Sequence, residues 1–284
     1  MDFFEDLIAE RLGGKLFGKS TEIYKFEKIK RAKAEATSKY PDIQIIDMGV
    51  GEPDIPADSG VVNKLAEEAG KPENRWYSDN GILEFQEAAA KYLEKVYQLS
   101  NIDPQKNIIH GIGSKPVLAI LPICLINPGD ITLATTPGYG VTSTYTRYLG
   151  GDVYNLPLAK ENSFFPDFTT IPDDILQRAK ILYINYPNNP TGQVATKSFF
   201  SSVVAFAKKN RIAVIHDAAY AAVTFDGYQP LSFLSIDGAK DVGIEVHSLS
   251  KAFNMTGWRL AFVAGNEKFV NAYGTAKDNT DSGQ

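Results

Sequence analysis

Ser248, Ser250, Lys251 and Arg259 lie within one run, HSLSKAFNMTGWRLAFVAG. The run brings an amine, two hydroxyls and a guanidinium to the mouth of one strand-loop-strand unit. A lysine amine held in such a setting can form a Schiff base with an aldehyde. Hydroxyls and an arginine suit the oxygens of a phosphate. The run therefore has the parts to hold a phosphate-bearing aldehyde. A solvated surface loop would use the same residue types, so its meaning depends on what else the chain sends to the same place.

Four further groups of residues bear on that. Gly111-Ile112-Gly113-Ser114-Lys115-Pro116 leads from a strand into a helix. Glycines let backbone approach an anion, and a helix start offers free N–H groups; a plain helix start with Ser114 as its cap reads equally well. Its spacing matches neither the dinucleotide fingerprint nor the P-loop. Tyr139, in TTPGYGVTS, can stack on a heteroaromatic ring or pack locally in its turn. Asn188-Asn189-Pro190-Thr191-Gly192 is a turn by composition, and Asn189 at a strand tip can donate to a phenolate oxygen. Asp217 ends the apolar strand IAVIH, where a carboxylate needs a partner. A protonated pyridine nitrogen would be one; a helix cap or a local turn bond would be another. Tyr220, three residues on, can reach a ring oxygen. His216 and His247 fall at interior strand positions and read as packed or supporting side chains.

The elements that must position these residues alternate. IQIIDMGVGEPD reads as a short strand into a glycine turn, and Ile82 to Tyr97 as an amphipathic helix. KNIIHGIG, ITLATTPGYG, AKILYINY, RIAVIHDAAY, VGIEVHSLSK and WRLAFVAG read as strands. PVLAILPICLI and SFFSSVVAFAKKN read as helices. Strands apolar on both faces and separated by helices predict an α/β fold with a mostly parallel, buried sheet. Ligands of such sheets sit beyond the carboxyl ends of the strands. Gly113, Ser114, Lys115, Tyr139, Asn189, Asp217, Tyr220 and Lys251 all fall there.

Composition sets the bounds. The 284 residues are 44% hydrophobic and 22% charged, enough for one large core or two domains. A net charge of -5 with interspersed signs predicts neither nucleic acid nor a membrane surface as partner. Three histidines and one cysteine argue against a zinc site. Cys124 has no partner for an internal disulfide, which predicts a reducing, cytoplasmic setting and an inert thiol. MDFFEDLIAERLGGK is acidic where a signal peptide would be basic, so no targeting segment is expected.

Taken in order, GVGEPD, GSK, PGYG, NNPTG, HDAAY and SLSKAFNMTGWR resemble the fold-type-I pyridoxal 5'-phosphate (PLP) aminotransferases of class I/II. The resemblance runs from about Tyr24 to the end of the chain. It implies a large domain built on a mostly parallel seven-stranded sheet flanked by helices, over residues 46–284, preceded by an N-terminal arm, 1–45, that is part of the small domain. By resemblance Lys251 is the Schiff-base lysine and the base that moves the proton, and Asp217 partners the pyridine nitrogen. Tyr220 and Asn189 meet the ring oxygen, and Tyr139 stacks on the ring. Gly113, Ser114, Lys115, Ser248, Ser250 and Arg259 surround the phosphate. Tyr24 and Gly51 lie near the substrate, Gly51 by its backbone at the α-carboxylate; Lys115, Tyr139 and Asn189 also reach the substrate. Tyr77, in RWYSDNG, looks like the tyrosine that reaches the other subunit's phosphate, although its spacing to Gly81 is one residue short and Trp76 stands at the usual distance. A homodimer with shared sites is implied for the full-length protein.

Within the group, YKFEKIKRAK and the lysine after Gly-Ser look most like the LL-diaminopimelate aminotransferases, in which that lysine also meets the distal end of the substrate. The reaction implied moves an amino group between LL-diaminopimelate and 2-oxoglutarate by a ping-pong course, serving lysine synthesis. Small amino acids and 2-oxo acids are then the partners. Relatives continue into a C-terminal small domain with an arginine for the α-carboxylate; no residue here matches it, so the chain is expected to be an N-terminal part of the enzyme. Other readings are an aspartate, aromatic or alanine aminotransferase, a PLP lyase of the same fold, and an inactive PLP-fold regulator.

Overall fold

The computed structural model describes residues 3–4, 6–19, 25–49 and 51–283. The chain divides into two units, Met1–Pro53 and Asp54–Gln284. The first contains two short 3-10 turns, Glu10–Leu12 and Gly14–Leu16, and the helix Lys25–Lys39. Lys33 of that helix pairs with Asp47 at 2.8 Å. The stretch IQIIDMG is not a strand: residues 44–48 have no regular structure. Ile46 and Met48 are exposed, and among the described residues no neighbouring strand takes up the backbone hydrogen bonds that an extended segment would need.

The second unit is built on a seven-stranded sheet. Its strands are β1 (Ile108–Gly111), β2 (Ile131–Thr136), β3 (Asp152–Pro157), β4 (Ala179–Asn185), β5 (Ala213–Asp217), β6 (Gly243–Ser248) and β7 (Ala261–Gly265). They stand in the order β1-β7-β6-β5-β4-β2-β3. All neighbours are parallel except those of β7, which runs antiparallel to both β1 and β6. The seventh strand is therefore β3, at the edge beyond β2, and not IQIIDMG.

The strands are apolar on both faces because both are covered. On one face Ile181, Tyr183, Ile215, Ile244 and Val246 pack with Val117 and Leu118 of the helix Ser114–Ile120 and with Phe269 and Val270 of the helix Glu267–Lys277. On the other, Leu182, Ile184 and Val214 pack with Leu93 of the helix Leu83–Tyr97 and Phe200 of the helix Lys197–Asn210. The two-residue period of a strand sends neighbouring side chains into different cores. Asp217 thus shares a face with Tyr183 and Ile215, while His216 points to the opposite core.

The topology also explains where the unusual residues arrive. β1, β2, β4, β5 and β6 end at one edge of the sheet. Because β7 runs the other way, its start lies at that same edge, and Arg259 comes two residues before it. Gly111, Thr136, Asn185, Asp217, Ser248 and Arg259 are therefore delivered to one side of the molecule.

Candidate active site at the carboxyl edge of the sheet

Asp217 is the most constrained group at this edge. Its side chain is buried, and its Oδ2 accepts from the Tyr183 hydroxyl at 3.1 Å. Its Oδ1 accepts from the Ala219 backbone N–H at 3.2 Å, which is the local turn bond that the sequence allowed. Burial pushes the carboxyl up from its ordinary value, opposed by these two hydrogen bonds and by nearby His216 and His247. An ionised carboxylate has about four acceptor positions, and the Tyr183 hydroxyl and the Ala219 N–H take two of them. A cationic N–H donor would relieve the cost of burial.

Tyr220 and Asn189 meet beside it, with Asn189 Nδ2 donating to the Tyr220 hydroxyl at 3.3 Å. Burial and then the Asp217 charge raise the Tyr220 phenol, against the bond from Asn189. Tyr139 is half-buried against the same core as Tyr183. Asn185 was not singled out in the sequence, yet it ties these parts together. Its Nδ2 donates to the Asp217 carbonyl at 2.9 Å, and its Oδ1 accepts from the Asn189 backbone N–H at 2.7 Å. The turn beyond it closes on itself: Asn188 Oδ1 accepts from the Thr191 hydroxyl at 2.8 Å, and Gly192 N–H donates to the Asn188 carbonyl at 2.8 Å.

Gly113 and Arg259 form a second cluster. Gly113 precedes the helix Ser114–Ile120 with φ +95°, a conformation that favours glycine. A Cβ added there would lie 2.8 Å from Arg259 Cζ. The guanidinium is thus seated directly over the glycine, while its Nη1 donates to the Thr256 carbonyl at 2.7 Å. Ser114 is the first helical residue and not the cap, a place taken by Gly113. Lys115 is exposed.

Lys251 sits on the short helix Leu249–Ala252, half-buried, just past the end of β6. Ser248 caps that helix, its hydroxyl accepting from Ser250 N–H at 3.2 Å, and both serines are buried. Tyr77 and Trp76 are strongly exposed. Gly51 is exposed in the first unit, and Tyr24 lies outside the described residues. Cys124 is half-buried and burial pushes its thiol up to about 11, which disfavours the reactive thiolate. Among the described residues no cluster of His, Cys, Asp or Glu could hold a metal ion.

The edge therefore offers a buried carboxylate with open acceptor positions, an amide and a phenol side by side, a guanidinium seated over a glycine that opens a helix, and a lysine. These donors and acceptors fit a ring that carries a protonated nitrogen, an oxygen substituent and a phosphate, as PLP does.

Comparisons with known proteins agree with that fit. The model of the family "Aminotransferase class I and II" matches residues 43–280. The chain is 60% identical over 282 residues to an LL-diaminopimelate aminotransferase of Methanocaldococcus jannaschii, covering 99% of this chain and 67% of that protein. It is 56% identical to a protein of the same name from Methanococcus maripaludis, covering 99% and 68%. Among solved structures it is similar to apo-BacF of Bacillus subtilis, with a TM-score of 0.85 and 37% identity over 92% of this chain and 66% of that one. The chain thus spans about two thirds of the length of the relatives it matches. It belongs to the class I and II aminotransferases, a PLP-dependent family.

Proposed function

We propose that this protein transfers an amino group between LL-diaminopimelate and 2-oxoglutarate. The observation that carries the reading is the convergence of Asp217, Asn189, Tyr220, Arg259 and Lys251 at one sheet edge. The similarity to two LL-diaminopimelate aminotransferases supplies the substrate.

PLP, when bound, supplies an aldehyde and a ring that draws electrons away from the substrate's Cα. The chain's own residues do the rest. Lys251 would hold the aldehyde carbon and would serve as the base that moves the proton of the substrate's Cα; a positioned base of this kind contributes ~10²–10⁴-fold. Asp217, short of hydrogen-bond donors, keeps the ring nitrogen protonated. Asn189 and Tyr220 hold the ring oxygen, and Tyr139 covers the ring. Gly113, Ser114, Lys115, Ser248, Ser250 and Arg259 bind the phosphate, the exposed Lys115 also reaching the distal charge of the substrate. Tyr24 and Gly51 serve the substrate end. The exposed aromatic pair Trp76 and Tyr77 supports a homodimer in which Tyr77 reaches the partner's phosphate. The single cysteine supports a cytoplasmic setting, and no described helix is long and apolar enough to cross a membrane.

Borohydride reduction of the PLP-loaded protein, followed by peptide mass analysis, tests the lysine: the pyridoxyl mass belongs on the peptide containing Lys251. Absorbance changes on adding LL-diaminopimelate, aspartate, tyrosine or alanine then test the donor. Modification elsewhere would defeat the site, and a preference for another donor would defeat the substrate.

A further inference from the structure

Behind Asp217, on the opposite face of the sheet, lies a fully buried ion network that the reaction as described does not use. His216 Nδ1 lies 2.8 Å from Glu245 Oε1, and its Nε2 lies 2.9 Å from the Tyr186 backbone carbonyl. Glu245 accepts the Phe233 N–H at 2.7 Å on Oε1 and the Ser232 hydroxyl on Oε2, and His247 Nε2 stands 3.2 Å from Oε2. Burial opposes charge on Glu245, but its bonds from His216 and His247 outweigh that and hold the carboxyl well below the usual range. Glu245 already accepts the Phe233 N–H and the hydroxyl of Ser232, whose own oxygen accepts from the Leu234 N–H at 3.0 Å, so it stands as an acceptor to two other donors, and a carbonyl has no proton to give. Both ring nitrogens of His216 thus face acceptors. The surroundings are otherwise aromatic: Phe200 and Phe233 stand edge-on to His216, while Tyr92, Tyr97 and Phe262 close around His247. Tyr92 and Tyr97 are held protonated by burial, and Asp217 is the next residue in the chain.

We propose that His216 is a buried imidazolium that acts as a positioning residue: clamped by Glu245, it fixes the Tyr186 carbonyl and with it the turn that carries Asn189 to Tyr220. The turn begins one residue after Tyr186, and Asn185, one residue before, is bonded to the Asp217 carbonyl. One cation thus sets the height of Asn189 relative to Asp217 from beneath the sheet. Its charge also favours the ionised form of Asp217. The positioning role rests on the reading of this edge as the cofactor site; the charge state does not.

The chain has three histidines, which makes the test direct. Long-range proton–nitrogen NMR of the cofactor-free protein, labelled at histidine nitrogen, reads protonation at each ring atom. The His110→Asn and His247→Gln variants identify the His216 signals. At pH 7.5 His216 shows two protonated nitrogens. Glu245→Gln keeps the shape and removes the charge, so one nitrogen becomes unprotonated. PLP affinity, measured by fluorescence titration, falls about tenfold, the effect of losing one charge-assisted hydrogen bond. A parent His216 with one bare nitrogen overturns the inference, and that spectrum decides it even if the variant does not fold. Unchanged PLP affinity in a folded Glu245→Gln overturns the positioning role. A parent that binds no PLP counts against the proposed function and leaves the charge test intact.

Discussion

The Tyr183 hydroxyl donates to Asp217 Oδ2 at 3.1 Å, from β4 to the end of β5 and below the surface of the sheet. The bond is made with no solvent to share it, so each group alters the other. Burial, and then the Asp217 charge, raises the Tyr183 phenol well above its ordinary value. The phenol therefore stays protonated and can only donate. By satisfying one lone pair of Asp217, it holds the carboxylate in place, and on the proposed reading the outward positions meet the ring nitrogen. Tyr183→Phe removes that donor and little else. PLP affinity is expected to fall about tenfold, the worth of one hydrogen bond to a charged group, with the circular dichroism spectrum unchanged. A fluorescence titration of the cofactor-free variant measures it.

Asp217 itself should show opposite effects on stability and on binding. Its folded value is raised above the ordinary 3.8, chiefly by burial. A raised acid contributes stability that is full below the unfolded value and is lost as pH rises through the folded one. At neutral pH the cofactor-free protein therefore carries a buried charge at a cost. Asp217→Asn removes that charge, so its cofactor-free form should melt higher than the parent at pH 7, with the difference shrinking towards pH 4. With PLP present the order should reverse, because the variant cannot hold the ring nitrogen's proton. Melting curves at both pH values, with and without PLP, check both signs.

The ends of the strands were legible because this chemistry is local. A glycine turn, an aspartate or a lysine directly after an apolar run marks a strand tip whatever the tertiary fold. Several elements were not legible, among them the helix Ser59–Ala69, the strand β3 and the helix of VTSTYTRY. DVYNLP, which forms β3, lies at the sheet edge and is largely exposed, so it lacks the two-faced apolar pattern that marked the other strands. VTSTYTRY forms a helix although it is nearly all polar or aromatic. Its Thr142 and Thr146 are buried through hydrogen bonds to the Leu118 carbonyl and to Thr132, which propensity alone does not suggest. Conversely, IQIIDMG has strand composition but no sheet neighbour. In the site, Tyr183 and Asn185 escaped notice inside ILYIN, although the two-residue period puts both on the face of Asp217. Glu245 in VGIEVHS was the signal for the buried network, since a carboxylate between buried valine and isoleucine needs cations.

Asn185 makes a sharper structural test than the residues proposed to touch ligand. It is 1% exposed, and it bridges the Asp217 carbonyl and the Asn189 N–H. Asn185→Ala takes one hydrogen bond from each of these backbone groups, in a place where water has little access. The cost should be about 2–3 kcal/mol of folding stability, read from urea unfolding. The turn carrying Asn189 should also become more open to amide hydrogen exchange than in the parent, while exchange in β2 stays the same.

Gly113 offers a test of the phosphate end that does not remove a single polar group. Its φ of +95° with ψ 149° lies in a region essentially reserved for glycine, at about 1–3 kcal/mol for any other residue. A methyl group there also meets the Arg259 guanidinium, 2.8 Å from Cζ. The helix backbone cannot yield easily, since Val117, Leu118 and Ile120 are buried behind it. The arginine must therefore move. Gly113→Ala should weaken PLP by more than it weakens pyridoxal, which lacks the phosphate, because only the phosphate depends on the guanidinium. Arg259→Lys keeps the charge but loses the planar fork, so it should show the same selectivity in milder form. Equal losses for PLP and pyridoxal in Gly113→Ala would mean that the loop serves the ring or the fold, and not the phosphate.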